Sequence, residues 1–219
     1  MTSYRIIAIL STFSALPALI IYWNTRKSQD DYMKYVALLL LFSMLSDVVG
    51  MMGALKLIKL PLGGNAIFQI YQISTIILIS LLYKQLFPKP LARLFDVIII
   101  LLLVIFCFIF YSLDAKENTS IGNVPETIVF IIFTLAYFFR LMTKMPTLHV
   151  NQLPMFWINT GLLIYYAGAL VIFLFSGYLI NILKDNMIVY WSFHNFLNII
   201  SHLLIAIGLW QVKHKVKSL

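Results

Sequence analysis

Charge is what this chain has least of. Only 11% of its 219 residues are charged, and just 8 of them are acidic. A water-soluble domain carries about 25% charged residues, so a soluble fold of this size is excluded. Cysteine is nearly absent too. Cys107 is the only one, which rules out an intrachain disulfide and leaves the redox compartment unread. It lies in an apolar run, where a small buried apolar residue is the expected role. The alternating segments of about 10 residues that mark membrane β-barrels are missing. So are a Gly-x-Ser-x-Gly elbow, a His-Glu-x-x-His helix and a phosphate-cradling glycine loop. Those absences remove the common soluble chemistries and leave intramembrane hydrolysis open.

What is present is apolar sequence in long runs. Apolar residues make up 62% of the chain and mean hydropathy is +0.94. A hydrocarbon core of about 30 Å takes roughly 20 helical residues, and seven runs approach that length. They are Tyr4–Trp23, Tyr35–Leu55, Ala66–Tyr83, Leu94–Leu113, Glu126–Thr143, Met155–Ile180 and Ile188–Trp210. Breakers separate them: Pro61-Leu62-Gly63-Gly64-Asn65, Pro88-Lys89-Pro90, Asn118 to Pro125, and Pro146 to Pro154. Pro17 falls inside the first run and is expected to kink it. Only Arg5 precedes that run's apolar stretch and no small-residue cleavage site follows, so it reads as a retained first helix rather than a signal peptide. The expectation is an all-α chain, residues 1–219 forming a single polytopic transmembrane bundle of seven helices.

Basic residues set its orientation. With the N-terminus outside, the inner segments carry Arg26, Lys27, Lys34, Lys84, Lys89, Arg93, Arg140, Lys144, Lys213, Lys215 and Lys217. The outer ones carry Arg5, Lys56, Lys59, Lys116 and Lys184. Eleven against five favours N-outside and C-cytoplasmic. The net charge of +8 therefore reads as topology rather than nucleic-acid binding. Tyr4, Trp23, Tyr83, Tyr111, Trp157, Tyr190, Trp191 and Trp210, at run ends, suit interfacial anchors. Gly50, Gly53, Gly161 and Gly168 are placed for close helix contact. Asp96 is expected to pair locally with Arg93 and to cap the fourth run.

Function is sought where burial is costly. Asp47, mid-way along the second run, costs about 2.5–3.5 kcal/mol at that depth. It is either a contact for a ligand, proton or ion, or a structural clasp between helices. The seventh run carries Trp191, His194, Asn195, Asn198 and His202 at helical spacing, so they share one face. Asn65, Gln69, Gln72 and Thr75 follow a similar period in the third. At a rise of about 1.5 Å per residue, Asp47, Gln72, His194 and Asn198 fall roughly 9–15 Å below the outer helix ends. Together with Asn195 they form the expected ligand layer. Arg140, Asn159 and His202 form an expected inner polar network, with snorkelling to the headgroups the alternative for Arg140. His194 and His202 are about 12 Å apart along a helix, too far to share a zinc, and His149 and His214 are expected in solvent. No metal or cofactor is expected. The seventh run has no lysine for a retinal Schiff base.

The stretch Phe156-Trp157-Ile158-Asn159-Thr160-Gly161-Leu162-Leu163-Ile164-Tyr165-Tyr166-Ala167-Gly168, with Trp191-Ser192-Phe193-His194-Asn195-Phe196-Leu197-Asn198-Ile199-Ile200, resembles the last two helices of seven-helix sensor regions of bacterial histidine kinases. Asn65-Ala66-Ile67-Phe68-Gln69-Ile70-Tyr71-Gln72 is similar to the start of their third helix. The resemblance implies a sensor in the bacterial inner (plasma) membrane with a cytoplasmic C-terminus. Those proteins continue into a kinase and this sequence stops at Leu219. The expected partner is therefore a separate cytoplasmic histidine kinase or other transducer, besides the lipid bilayer. Two rivals stand beside it. Phe42-Ser43-Met44-Leu45-Ser46-Asp47 distantly resembles the second helix of membrane lysoplasmalogenase-like hydrolases, with Ser46 where that family prefers Gly and no matching second acid identified. A small sugar-carrier-type transporter shares the helix count, but its paired Pro-Gln signature is absent.

Overall fold

The structure, a computed structural model, describes residues 2–54, 65–112, 123–144, 149–181 and 188–215. Among these every regular element is helical, as a lipid solvent demands: a helix satisfies its backbone polar groups within its own segment. The order is α1 (Thr2–Phe13), α2 (Leu16–Thr25), α3 (Met33–Ala54), α4 (Asn65–Leu86), α5 (Lys89–Ser112), α6 (Asn123–Lys144), α7 (Pro154–Asn181) and α8 (Ile188–Lys215), with short 3-10 turns at Arg26–Ser28 and Val150–Gln152.

By length and composition, six segments can cross a membrane: Tyr4–Ser28, Met33–Gly53, Lys89–Ile109, Asn123–Lys144, Pro154–Phe175 and Ile188–Val212. Their outer faces agree. Ile100, Phe108, Phe139 and Val189 are 63%, 69%, 71% and 71% exposed. Such surfaces would drive association in water and are natural against acyl chains. The chain is thus a membrane protein with six such helices. The remaining expected run forms the 22-residue α4, whose first half carries Gln69, Gln72, Ser74 and Thr75.

Pro17 breaks the first span, as expected. Without an N–H it cannot continue the i to i−4 ladder, so α1 stops at Phe13 and α2 begins at Leu16 with the proline in its first turn. The serine ahead of the break turns back, its N–H bonding Ser11 O at 3.1 Å.

Residues 31–123 make one compact unit; residues 1–30 and 124–219 make another. In the 31–123 unit, α4 packs against both α3 and α5. Its buried face presents Gln72, Thr75, Ile76, Ile79 and Tyr83. Tyr83 is fully buried, which corrects its reading as an interfacial anchor: that face of the helix meets protein, not headgroups. Asp96 pairs with Lys84 at 2.5 Å across the α4–α5 turn rather than with Arg93. The tight turn at Phe87-Pro88 folds the two helix ends together. Both side chains are partly exposed, at 33% and 49%, so Asp96→Asn is expected to change stability by no more than about 1 kcal/mol in a denaturant titration. Two further expectations fail here. Cys107 faces outward instead of into a core, and a Cβ added at Gly50 would meet nothing within 4 Å.

In the other unit, α7 and α8 pack antiparallel along their length, and α1 and α2 both lie against α8. Glycine makes the close approach of α7 and α8 possible. A Cβ at Gly161 would stand 2.9 Å from Ser201 O, and one at Gly208 would stand 2.6 Å from Pro154 O. α6 meets α7 through T-shaped ring contacts, Phe130 with Tyr166 at 5.0 Å and Phe138 with Phe156 at 5.9 Å. Asn151 O accepts from Trp157 Nε1 at 2.7 Å and Gln211 Nε2 at 2.8 Å. That ties the α7 entry to the end of α8. The Pro61–Gly64 connection, the remaining loop breakers at 118–122 and Pro146, and Lys56, Lys59, Lys116, Lys184 and Lys217 lie outside the described residues. So do the side chains of Asn65, Lys213, His214 and Lys215.

Candidate functional site

The polar stripe of α8 is the centre of the 1–30/124–219 unit. Asn198 and His202, one turn apart, are 8% and 5% exposed. Both reach the broken first span. Asn198 Nδ2 donates to Ser11 Oγ at 3.1 Å, and His202 Nδ1 lies 2.7 Å from Ser14 Oγ. Ser14 Oγ is also 2.7 Å from Ser11 O. A serine hydroxyl has one hydrogen, so both contacts are satisfied together when Ser14 donates to Ser11 O and the imidazole Nδ1–H donates to Ser14. The break before Pro17 is what turns the Ser14 hydroxyl toward the histidine. Composition could mark neither serine; both are small residues in an apolar run.

Two turns nearer the start of α8, His194 sits among rings. Trp191, Tyr165 and Phe173 have centroids 5.3, 5.4 and 6.2 Å from it. Tyr165 Oη meets His194 Nε2 at 3.1 Å. Asn195 is half-buried. Nδ1 remains buried with no hydrogen-bond partner among the described residues.

No protein-family model, curated protein or solved structure matches the chain. The site stands on its own chemistry.

Of the expected ligand layer, His194, Asn195 and Asn198 belong to this unit; Asp47 and Gln72 belong to the 31–123 unit. Gln85 Nε2 donates to Tyr35 Oη at 3.2 Å, linking α4 to α3. Gln72 is 4% exposed, and its Nε2 has no partner among the described residues. Asp47 is half-buried.

The expected inner network divides. Asn159, fully buried, donates from Nδ2 to Thr134 O at 3.0 Å, joining α7 to α6. His202 instead joins α8 to the first span, and Arg140 is half-buried. His149 is exposed, as expected. Among the described residues no group of three or more His, Cys, Asp or Glu could hold a metal ion.

One polar residue escaped sequence reading. Glu126, in the first turn of α6, is 8% exposed, and its Oε2 has no partner among the described residues. At the edge of an apolar run it looks like an ordinary helix-start acid; its burial is a tertiary fact.

Proposed function

We propose that the chain is a seven-helix membrane receptor or sensor subunit in which α4 is the seventh span, the N-terminus lies outside and the C-terminus faces the cytoplasm. It holds a small ligand or a proton in the outer half of the membrane, at His194, Asn195 and Asn198 of α8. A separate cytoplasmic protein, a histidine kinase in the family resemblance, reads the resulting helix movement. The carrying observation is the fastening of α8 to the broken first span through Asn198–Ser11 and His202–Ser14. A ligand that shifts α8 must act on a hinged partner helix, and two packings of one hinged span are what a switch requires.

The test is cross-linking in native membranes, gentle purification and mass spectrometry of co-purifying proteins. A cytoplasmic transducer joined through the inner loops is the expected result, with its activity altered at least 10-fold by Asp47→Asn or His194→Ala. If neither variant changes transducer output, the site assignment is wrong. Lipid turnover that disappears in Asp47→Asn would replace the sensor reading with the lipid-hydrolase alternative, and solute flux in liposomes would favour the transporter.

A further inference from the structure

The first span ends in an exposed strip that changes from apolar to basic. Leu16, Ile20 and Trp23 are 38%, 58% and 66% exposed. With Lys27 they follow the i, i+4, i+7, i+11 spacing of one helix face. Arg26 stacks back on that strip, its Cζ lying 4.2 Å from the centre of the Trp23 ring. Both basic residues are exposed. A guanidinium held over a ring by its face keeps its N–H edge for a second partner.

The same end of the unit is basic. The first span runs parallel to α8, because Ser11 pairs with Asn198 and Ser14 with His202 in the same order. The close approach of Gly208 to Pro154 brings the start of α7 to the end of α8. Phe138 against Phe156 brings the end of α6 there as well. α2, α6 and α8 therefore end on one side of the membrane, the cytoplasmic side in the orientation proposed above. These ends carry Arg26, Lys27, Arg140, Lys144, Lys213 and Lys215, and the acid among them is Asp30. Anionic lipid attracts basic groups placed at a helix end in this way.

We propose that Trp23, Arg26 and Lys27 form a binding site for the phosphate headgroup of an anionic phospholipid. The Arg26 N–H edge and the Lys27 ammonium take the phosphate oxygens. One acyl chain lies along Trp23, Ile20 and Leu16. That strip is what selects a lipid: a free phosphate ion or an acidic protein surface has no use for apolar side chains at hydrocarbon depth. The inference goes beyond the receptor reading and does not depend on the ligand of α8.

The test is native mass spectrometry of the full chain, released from mixed micelles with equal amounts of phosphatidylglycerol and phosphatidylcholine of matched acyl chains. The native chain is expected to retain phosphatidylglycerol in preference. Arg26→Gln combined with Lys27→Gln should lower that preference about 10-fold. Trp23→Leu keeps both charges and an apolar strip and should lower it about threefold. Lys34→Gln combined with Lys89→Gln, at exposed basic positions of the other unit, should leave it nearly unchanged. All five positions are exposed, so the variants are expected to fold, with melting temperatures near that of the native chain. Equal retention of the two lipids overturns the proposal. So does a preference that survives the Arg26→Gln, Lys27→Gln pair, or an equal loss in the Lys34→Gln, Lys89→Gln pair. Displacement of the lipid by inorganic phosphate would also overturn it and identify a free-phosphate site. Loss of the cross-linked transducer in the Arg26→Gln, Lys27→Gln pair, with lipid preference intact, would assign the cluster to an acidic protein surface instead.

Discussion

Gly208→Val and Gly161→Val are each expected to destabilise the protein by about 1–3 kcal/mol, seen as a lower melting temperature in detergent and faster loss of the folded band on mild SDS titration. At both positions the obstacle is backbone. The added Cβ would lie 2.6 Å from Pro154 O at position 208 and 2.9 Å from Ser201 O at position 161. A carbonyl in a helix cannot swing aside, so α7 and α8 must part. Separation costs packing along the whole pair, since membrane helices associate through close van der Waals contact rather than through expulsion of water. Gly168 tests the argument internally. Its nearest obstacle is the Leu197 side chain, which can change rotamer, so Gly168→Ala should cost less than Gly161→Ala. Gly50→Ala, where nothing stands within 4 Å, should leave stability unchanged. Since Gly→Ala by itself favours the helix, equal losses at all four glycines would mean that α7–α8 contact does not govern the series.

The second large effect concerns the fastening of the first span. In a double-mutant cycle, Ser14→Ala and His202→Leu should couple by about 0.6 kcal/mol, the average for interhelical hydrogen bonds in membranes, and by no more than about 1.7 kcal/mol. Ser11→Ala and Asn198→Ala should show a similar coupling. The conformational origin of the clasp can be tested separately. Ser14 reaches His202 because the helix is interrupted at residues 14 and 15, just ahead of Pro17. Pro17→Ala restores the missing N–H and favours a continuous helix. In that background the Ser14–His202 coupling should fall to zero while the helix content seen by circular dichroism rises slightly. A coupling that survives in Pro17→Ala would show that the serine finds the histidine without the break.

How far the candidate site was legible depends on what made each residue visible. Asp47, Gln72, His194 and Asn198 were visible because polar groups are rare in apolar runs. Helical spacing then put the α8 set on one face. Depth along each helix was an expectation from the nearly constant rise per residue. What could not be read was pairing. His202 was assigned to Asn159 and Arg140 by depth, yet its bond runs to Ser14, because helix adjacency is not encoded in depth. Glu126 was missed for the opposite reason: acids at helix starts are common, and only packing decides whether one is buried. Asp96 was given to the nearer Arg93 in sequence, but the turn at Phe87-Pro88 brings Lys84 closer in space.

The sequence by itself determined the solvent and the secondary structure. Long apolar runs demand lipid, lipid demands satisfied backbone groups, and helices meet that demand locally. Pro17 determined the break in the first span by the same local logic. Only the tertiary structure decided which helix lies against which, and therefore which glycines are indispensable, which serine meets the histidine and which acid is buried. Those contacts join residues nearly two hundred positions apart, such as Ser11 and Asn198. In a membrane, where every helix already has an apolar surround, they are chosen by shape and hydrogen bonding rather than by hydropathy.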